Sequence, residues 1–496
     1  MAEIVSKEKL QKTIKRCKER GIIIPTFAQQ RDPSKVPAAV VERLKNIGLW
    51  DINSLNLFRV TWKNDPVTHG FGKVNFLELP SSLTGVKARI FGLVGKFFPT
   101  GAHKVGAACG CLIPRMVTGD FDPYSQKTVW PSTGNYCRGG AYDAKLLGCD
   151  SVAILPAEMS KERFDWLKEI GAEVIATPGC ESNVKEIYDK CWELQNTRGD
   201  GVVILNQFAE FGNGMWHYNV TAEAILEVLK AELGEKGTLA AYVSATGSAG
   251  TIAAGDRLKE VFPHCKICAS EALQCPTIIN NGFGAHRIEG IGDKHIPWIH
   301  NVKNTDVGVA IDDQDCIQVM RLFNEKEGQD TLRQNGVPDE VIEKLPLLGI
   351  SGISNMLSAI KVAKYYELTE DDAIFTIFTD SIEMYRSRIE EAREAQGAYT
   401  MARACADMVH SLHGQNTANL LELTYTERRR VHNLKYYTWI EQQQKEIPEL
   451  NAQWYDRNYF SSRWQKMAEY DKLIEEFNRE TGLLAALEKG EAPFNK

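Results

Sequence analysis

The chain has 496 residues, 43% of them hydrophobic and 25% charged, which is more than one compact core needs and ordinary in composition for a globular protein. A net charge of −7 provides no electrostatic footprint for nucleic acid and no basic patch for a membrane surface, and no apolar run approaches the length of a membrane span. Met1-Ala-Glu-Ile-Val-Ser-Lys7 lacks the basic-then-apolar layout of a secretory signal, and the 12 cysteines are scattered like free thiols, so the expected location is the cytoplasm.

In chain order, residues 1–85 open with a basic amphipathic helix and continue as a loop-rich lead-in, read as an N-terminal extension and the start of a larger lobe. Residues 86–104 hold a strand, Val86–Val94, that delivers a loop ending in Lys104. Residues 105–215 alternate the strands Thr128-Val-Trp130, Ser151–Leu155, Glu173–Ala176 and Val202–Leu205 with helices, the pattern of a small α/β lobe built on a parallel sheet. Residues 216–386 repeat that style in a larger lobe, with Leu239–Ser244, Lys266–Ser270 and Asp372–Phe378 as strands. From 387 to 496 the chain turns charged and aromatic, and is expected to be a helical extension without strands, packed on the lobes or on a neighbouring subunit.

Three turns in this frame carry chemistry. Lys104 closes the loop Phe98-Pro-Thr-Gly-Ala-His103 at an expected helix start, where partial desolvation lowers the amine pKa and favours imine formation; the bland alternative is a solvated surface lysine. Ser132-Thr-Gly-Asn135 follows the strand Thr128–Trp130 and opens a helix, so its hydroxyls and N–H groups suit a carboxylate, unless it is an ordinary helix cap. Gly247-Ser-Ala-Gly-Thr251 also lies between a strand and a helix, and reads either as a phosphate nest or as a packing-driven glycine turn. Its spacing matches neither a Walker loop nor a dinucleotide fingerprint. A lysine, a Gly-Asn turn and a glycine-rich turn in this order are the contacts that pyridoxal 5'-phosphate needs for its aldehyde, its ring hydroxyl and its phosphate.

Cys109-Gly-Cys111 and Cys265-Lys-Ile-Cys268, with Cys275 beyond, lack the second ligand pair that zinc would require, so no metal is expected and structural thiols are the reading. The first pair sits in a small-residue run, Val105–Ile113, that reads as a tightly packed helix behind the lysine.

Taken together, the motifs resemble the fold-type II pyridoxal-phosphate enzymes, the cysteine synthase and tryptophan synthase β-subunit group. Thr100-Gly-Ala-His-Lys104 is similar to the lysine motif of the tryptophan synthase β subunit, and Ser132–Asn135 to the carboxylate loop of cysteine synthases. Leu155–Arg163, Leu167–Val174, Asn206-Gln-Phe208, Ile288–Gly292 through Pro297, and Thr379–Tyr385 extend the likeness over about residues 85–386. The resemblance implies an α/β fold of two lobes with twisted parallel sheets. It implies that Lys104 forms the internal aldimine, that Asn135 bonds the ring hydroxyl, and that Gly247, Ser248, Ala249, Gly250 and Thr251 hold the phosphate. Ser132, Thr133, Gly134 and Gln207 would hold the substrate carboxylate, and Ser351, or failing it Ser354, would face the pyridine nitrogen.

Two positions depart from the family pattern. Tyr136 replaces a threonine, and either contacts the substrate side chain or packs beneath the loop. Ala249 replaces a glycine, which is tolerable only with a negative φ. The implied reaction is β-elimination or β-replacement on an L-amino acid through an α-aminoacrylate, by a homodimer that needs a thiol or other nucleophile when it acts as a synthase. Alternatives are a threonine dehydratase or threonine synthase reaction, an amino-keto-acid thiolase working with a partner subunit, and a non-catalytic binding module.

Overall fold

The structure, a computed structural model, describes residues 3–234 and 237–491. Eleven strands appear among them: β1 Phe76–Leu79, β2 Arg89–Val94, β3 Lys127–Pro131, β4 Ser151–Pro156, β5 Glu173–Thr177, β6 Val202–Ile204, β7 Thr238–Ala245, β8 Lys266–Ala272, β9 Val307–Ile311, β10 Asp372–Phe378 and β11 Leu420–Glu422. They sort into two sheets. The larger runs β1-β2-β10-β7-β8-β9-β11, and the smaller β5-β4-β3-β6. Val152-Ala-Ile-Leu155 and Ala373-Ile-Phe-Thr-Ile-Phe378 are buried throughout, as expected for strands covered by helices on both faces.

All neighbours in the smaller sheet are parallel, with Thr128 opposite Ser151 and Lys127 opposite Val202. In the larger sheet β2, β10, β7, β8 and β9 are parallel, with Ile374 opposite Ile90, and only β1 at one edge and β11 at the other run antiparallel. Parallel strands need helical crossovers, so the loops leaving their carboxyl ends collect on one side, where open α/β sheets bind ligands. The two sheets bring seven such loops, those after β2, β3, β5, β6, β7, β8 and β10, to one cavity.

The small-residue run after Lys104 is the helix Lys104–Thr118. A Cβ at Gly106 would stand 2.3 Å from the Trp216 ring and one at Gly110 2.3 Å from the Gly212 carbonyl. The helix therefore seats against the helix Phe211–Trp216 more closely than any side chain allows.

The region after residue 387 is helical, but the expectation of no strand there is corrected by β11, whose Leu420 lies opposite Val309. Three residues carry too short an alternation to read in a sequence, yet they cover the otherwise open edge of β9. The rest of the region folds back over its own chain. Trp439 Nε1 donates to the Ile296 carbonyl at 2.8 Å, and Trp464 Nε1 to Asp256 Oδ2 at 2.9 Å. The buried Lys435 ammonium donates to the Trp298 and His300 carbonyls and to Gln453 Oε1, and Asp471 accepts from the Phe27 N–H at 2.6 Å.

No helix among the described residues is long and apolar enough to cross a membrane, and no group of three His, Cys, Asp or Glu there is placed to hold a metal. The cysteines are free; Cys405 is exposed and the other eleven are buried.

Candidate active site

The loop after β2 places Lys104 at the first turn of its helix. Thr100 and Gly101 both take left-handed backbone there, at φ 74° and 72°. For a β-branched residue that geometry costs about 1–2 kcal/mol, strain of the kind that collects where a loop must present one side chain. Lys104 Nζ donates to Ser248 Oγ at 2.8 Å and to Gln207 Oε1 at 3.3 Å. Burial draws its pKa down to about 8, with Asp293 pulling the other way, so the amine gives up its proton far more readily than a solvated lysine does.

After β3, Ser132, Thr133, Asn135 and Tyr136 line the same cavity, where the helix Asn135–Leu146 begins. Ser132 Oγ accepts from the Gly134 N–H at 3.0 Å. Gly134 stands just behind the lining, and must be glycine: its φ is 151° and a Cβ would lie 1.9 Å from Arg163 Nη1. Tyr136 packs edge-on to Trp130 at 5.3 Å between centroids, beneath the loop, and also lines the cavity.

After β7, Gly247, Ser248, Ala249 and Thr251 line the opposite wall. Ala249 has φ 58°, which corrects the expectation of a negative angle. Gly250 follows at φ −68°, and this alternation of left- and right-handed residues is what turns successive N–H groups towards one anion. Gly250 itself lies against Asn213, where a Cβ would stand 1.9 Å from Oδ1, and Asn213 Nδ2 bonds Ser248 Oγ and the Gln207 carbonyl. Thr251 Oγ1 is 2.8 Å from Ser244 Oγ.

Ser351 and Ser354 do not line the cavity. They lie in the first turns of the helix Ile350–Tyr365, with Ser354 Oγ 3.4 Å from Ser270 Oγ. The residue of that helix at the wall is Asn355, one turn beyond Ser351, whose Nδ2 donates to the Ile377 carbonyl and whose Oδ1 is unpartnered. Thr379, just past β10, joins it at the wall and lies 3.3 Å from His103 Nε2.

Behind Asn135 runs a buried network that sequence reasoning missed. Asn135 Nδ2 donates to Asp380 Oδ2 at 2.6 Å, and so does the Tyr385 hydroxyl at 2.8 Å. Arg163, wholly buried, donates to the Thr133 carbonyl and to Tyr385, and pairs with Glu289 at 3.0 Å. One guanidinium thus joins the loop after β3 to the segment after β10. Arg163 and Asp380 fall inside the quoted sequence motifs, but no spacing signals their meeting.

Two carboxyls at the wall were also missed. Glu181, from the loop after β5, and Asp293 are 1% and 5% exposed and face the cavity that holds Lys104. Burial pushes Glu181 well above the carboxylate range, and Asp293 up to about 7 despite the attraction of Lys104.

The residues fit pyridoxal phosphate. The nest at 247–251 offers backbone with no Cβ at Gly247, where one would lie 2.5 Å from the Gly290 carbonyl. Asn135 keeps a second amide hydrogen beyond the one given to Asp380, and a lysine amine whose proton is loosened by burial stands between the two loops.

The sequence profile of the family described as "Pyridoxal-phosphate dependent enzyme" matches residues 67–332. A relative from Bacillus subtilis (strain 168) bearing the name "Probable cysteine synthase" is 30% identical over 295 residues, 59% of this chain and 86% of the relative. The cystathionine beta-synthase of Saccharomyces cerevisiae is 28% identical over 63% of this chain and 59% of its own length. Among solved structures, the O-acetylserine dependent cystathionine beta-synthase from Helicobacter pylori superposes with a TM-score of 0.53 over 64% of this chain and 95% of its own, at 23% identity, a likeness of fold.

Proposed function

Since this chain belongs to the pyridoxal-phosphate dependent enzyme family, we propose that it carries out β-elimination or β-replacement on an L-amino acid, as a lyase or synthase of the cysteine synthase kind. The cofactor, when bound, supplies the electron sink for the pair left on Cα. The residues of the chain do the rest. Gly247, Ser248, Ala249, Gly250 and Thr251 hold the phosphate, and Asn135, braced by Asp380, meets the ring hydroxyl. Ser132, Thr133, Gly134 and Gln207 take the substrate carboxylate at the start of the helix Asn135–Leu146, where N–H groups and the helix dipole favour an anion. Lys104 Nζ would hold the cofactor aldehyde and, once free of it, would receive the Cα proton as the Cα–H bond breaks. The Cβ–X bond then breaks, and the leaving group departs with its bonding pair.

The observation that carries this reading is the position of Lys104 Nζ, 2.8 Å from Ser248 Oγ on the phosphate side and 3.3 Å from Gln207 Oε1 on the carboxylate side. A single amine within reach of both can serve the cofactor first and the Cα proton afterwards. We assign the enzyme to the cytoplasm and to a homodimer, with a thiol or other nucleophile as second substrate when it works as a synthase. The test is turnover of the holoenzyme on β-substituted L-amino acids with and without thiol. Keto acid and ammonia without thiol mark a lyase, and a thioether or cysteine formed with thiol marks a synthase. Neither product from any β-substituted substrate would refute the proposal.

A further inference from the structure

The cavity has places for two anions, a phosphate at 247–251 and a carboxylate at 132–134. Glu181 and Asp293 add two more acidic groups to the same wall. Glu181 Oε2 and Asp293 Oδ2 have no hydrogen-bond partner. Among the described residues that line the cavity, no spare cation faces them. The Lys104 amine is committed to the cofactor, and His103, also at the wall, is held neutral because burial takes its pKa far below the ordinary value. Arg163 spends its guanidinium on the Thr133 carbonyl, Tyr385 and Glu289.

A buried carboxyl ionises only at a cost, which the through-space pull of Arg163 on Glu181 and of Lys104 on Asp293 does not offset, and two ionised in one cavity repel each other as well. Such a pair makes physical sense where the ligand itself brings positive charge. We infer that the site selects L-amino acids whose side chain carries a second, cationic nitrogen at or just beyond Cβ, seated by Glu181 and Asp293. This rests on the β-elimination reading above and names its substrate class. A cationic amine draws the two carboxyls into their ionised form and replaces its water shell with their oxygens, whereas an anionic β-substituent such as a phosphate ester disfavours that ionisation and finds no free guanidinium. The arrangement also gives Asp293 its ordinary protonation on binding, since the ligand's charge favours the carboxylate that burial alone disfavours.

The test compares kcat/KM of the holoenzyme for L-2,3-diaminopropionate, L-serine and O-phospho-L-serine, with keto acid release as readout. We expect the cationic substrate to lead the anionic one by at least about tenfold, the scale of one charge-assisted contact in a desolvated site. Asp293→Asn and Glu181→Gln, made separately so that one misfolded variant does not decide the matter, are expected to compress that ratio by about tenfold through KM. A ratio favouring O-phospho-L-serine or L-serine, or one unchanged in both variants, overturns the inference and leaves β-elimination standing. Keto acid from none of the three counts against β-elimination instead. The half-saturation of the bound-cofactor absorbance change then decides: tighter binding of the cationic ligand supports the inference, and equal or weaker binding overturns it.

Discussion

Asp293 gives a stability prediction that can be worked from its surroundings. Its ordinary pKa is 3.8, and burial raises it to about 7. A raised acid binds its proton more tightly in the folded protein than in the unfolded chain. Its contribution is therefore fully present below pH 3.8 and is lost as pH rises through about 7. At about 1.4 kcal/mol for each pH unit between the two values, the folded state is weakened by about 4 kcal/mol at pH 7 and by about 2 kcal/mol at pH 5. Asparagine has nearly the same shape and does not titrate. Asp293→Asn should therefore stabilise the protein more at pH 7 than at pH 5, by about 2 kcal/mol, beyond any packing change common to both. The assay is urea unfolding of wild type and variant, both stripped of cofactor so that the Lys104 amine stays free beside residue 293. A difference between the two proteins that is the same at both pH values, or larger at pH 5, would refute the reasoning.

Other expectations follow from backbone and burial. Ala249→Gly should raise stability by about 1 kcal/mol by relieving the left-handed alanine at φ 58°, and Ala249→Val should lower it; a loss in the urea midpoint for the glycine variant would contradict this. Arg163→Met leaves Asp380 without its buried cation and Glu289 with Arg388 alone, and should cost about 3–5 kcal/mol, read as a lower unfolding midpoint and faster cofactor loss on gel filtration. An unchanged midpoint would show that the guanidinium does not join the two segments as described. Asn355→Ala should shift the visible band of the bound cofactor more than Ser351→Ala does, because Asn355 is the one at the wall; the opposite order would return the ring-nitrogen contact to Ser351.

What could be read in the sequence was local. Lys104, Ser132–Asn135 and Gly247–Thr251 each sit within a few residues of a strand end, so strand, turn and helix start appear together in one short window. The parallel strands were legible for a related reason, since buried ones such as Ser151–Pro156 are continuous apolar runs. Glu181 and Asp293 were not, because they come from separate loops and meet only in space; the one hint was an acidic residue just past a strand end or a glycine-rich turn. The contacts of Arg163 with Asp380 and Tyr385 span more than two hundred residues and have no spacing to betray them. The left-handed φ of Ala249 was hidden by its Cβ, since only glycine advertises that geometry. Ser351 was favoured because its surrounding motif named it, yet the helix carries Asn355 to the wall one turn later.

The central claim is that Lys104 bears the cofactor. Borohydride reduction of the holoenzyme, followed by proteolysis and peptide mass mapping, tests it most directly. The account predicts a single reduced pyridoxyl adduct, on the peptide that contains Lys104, and none in Lys104→Ala. An adduct on any other lysine, or none at all, would contradict it.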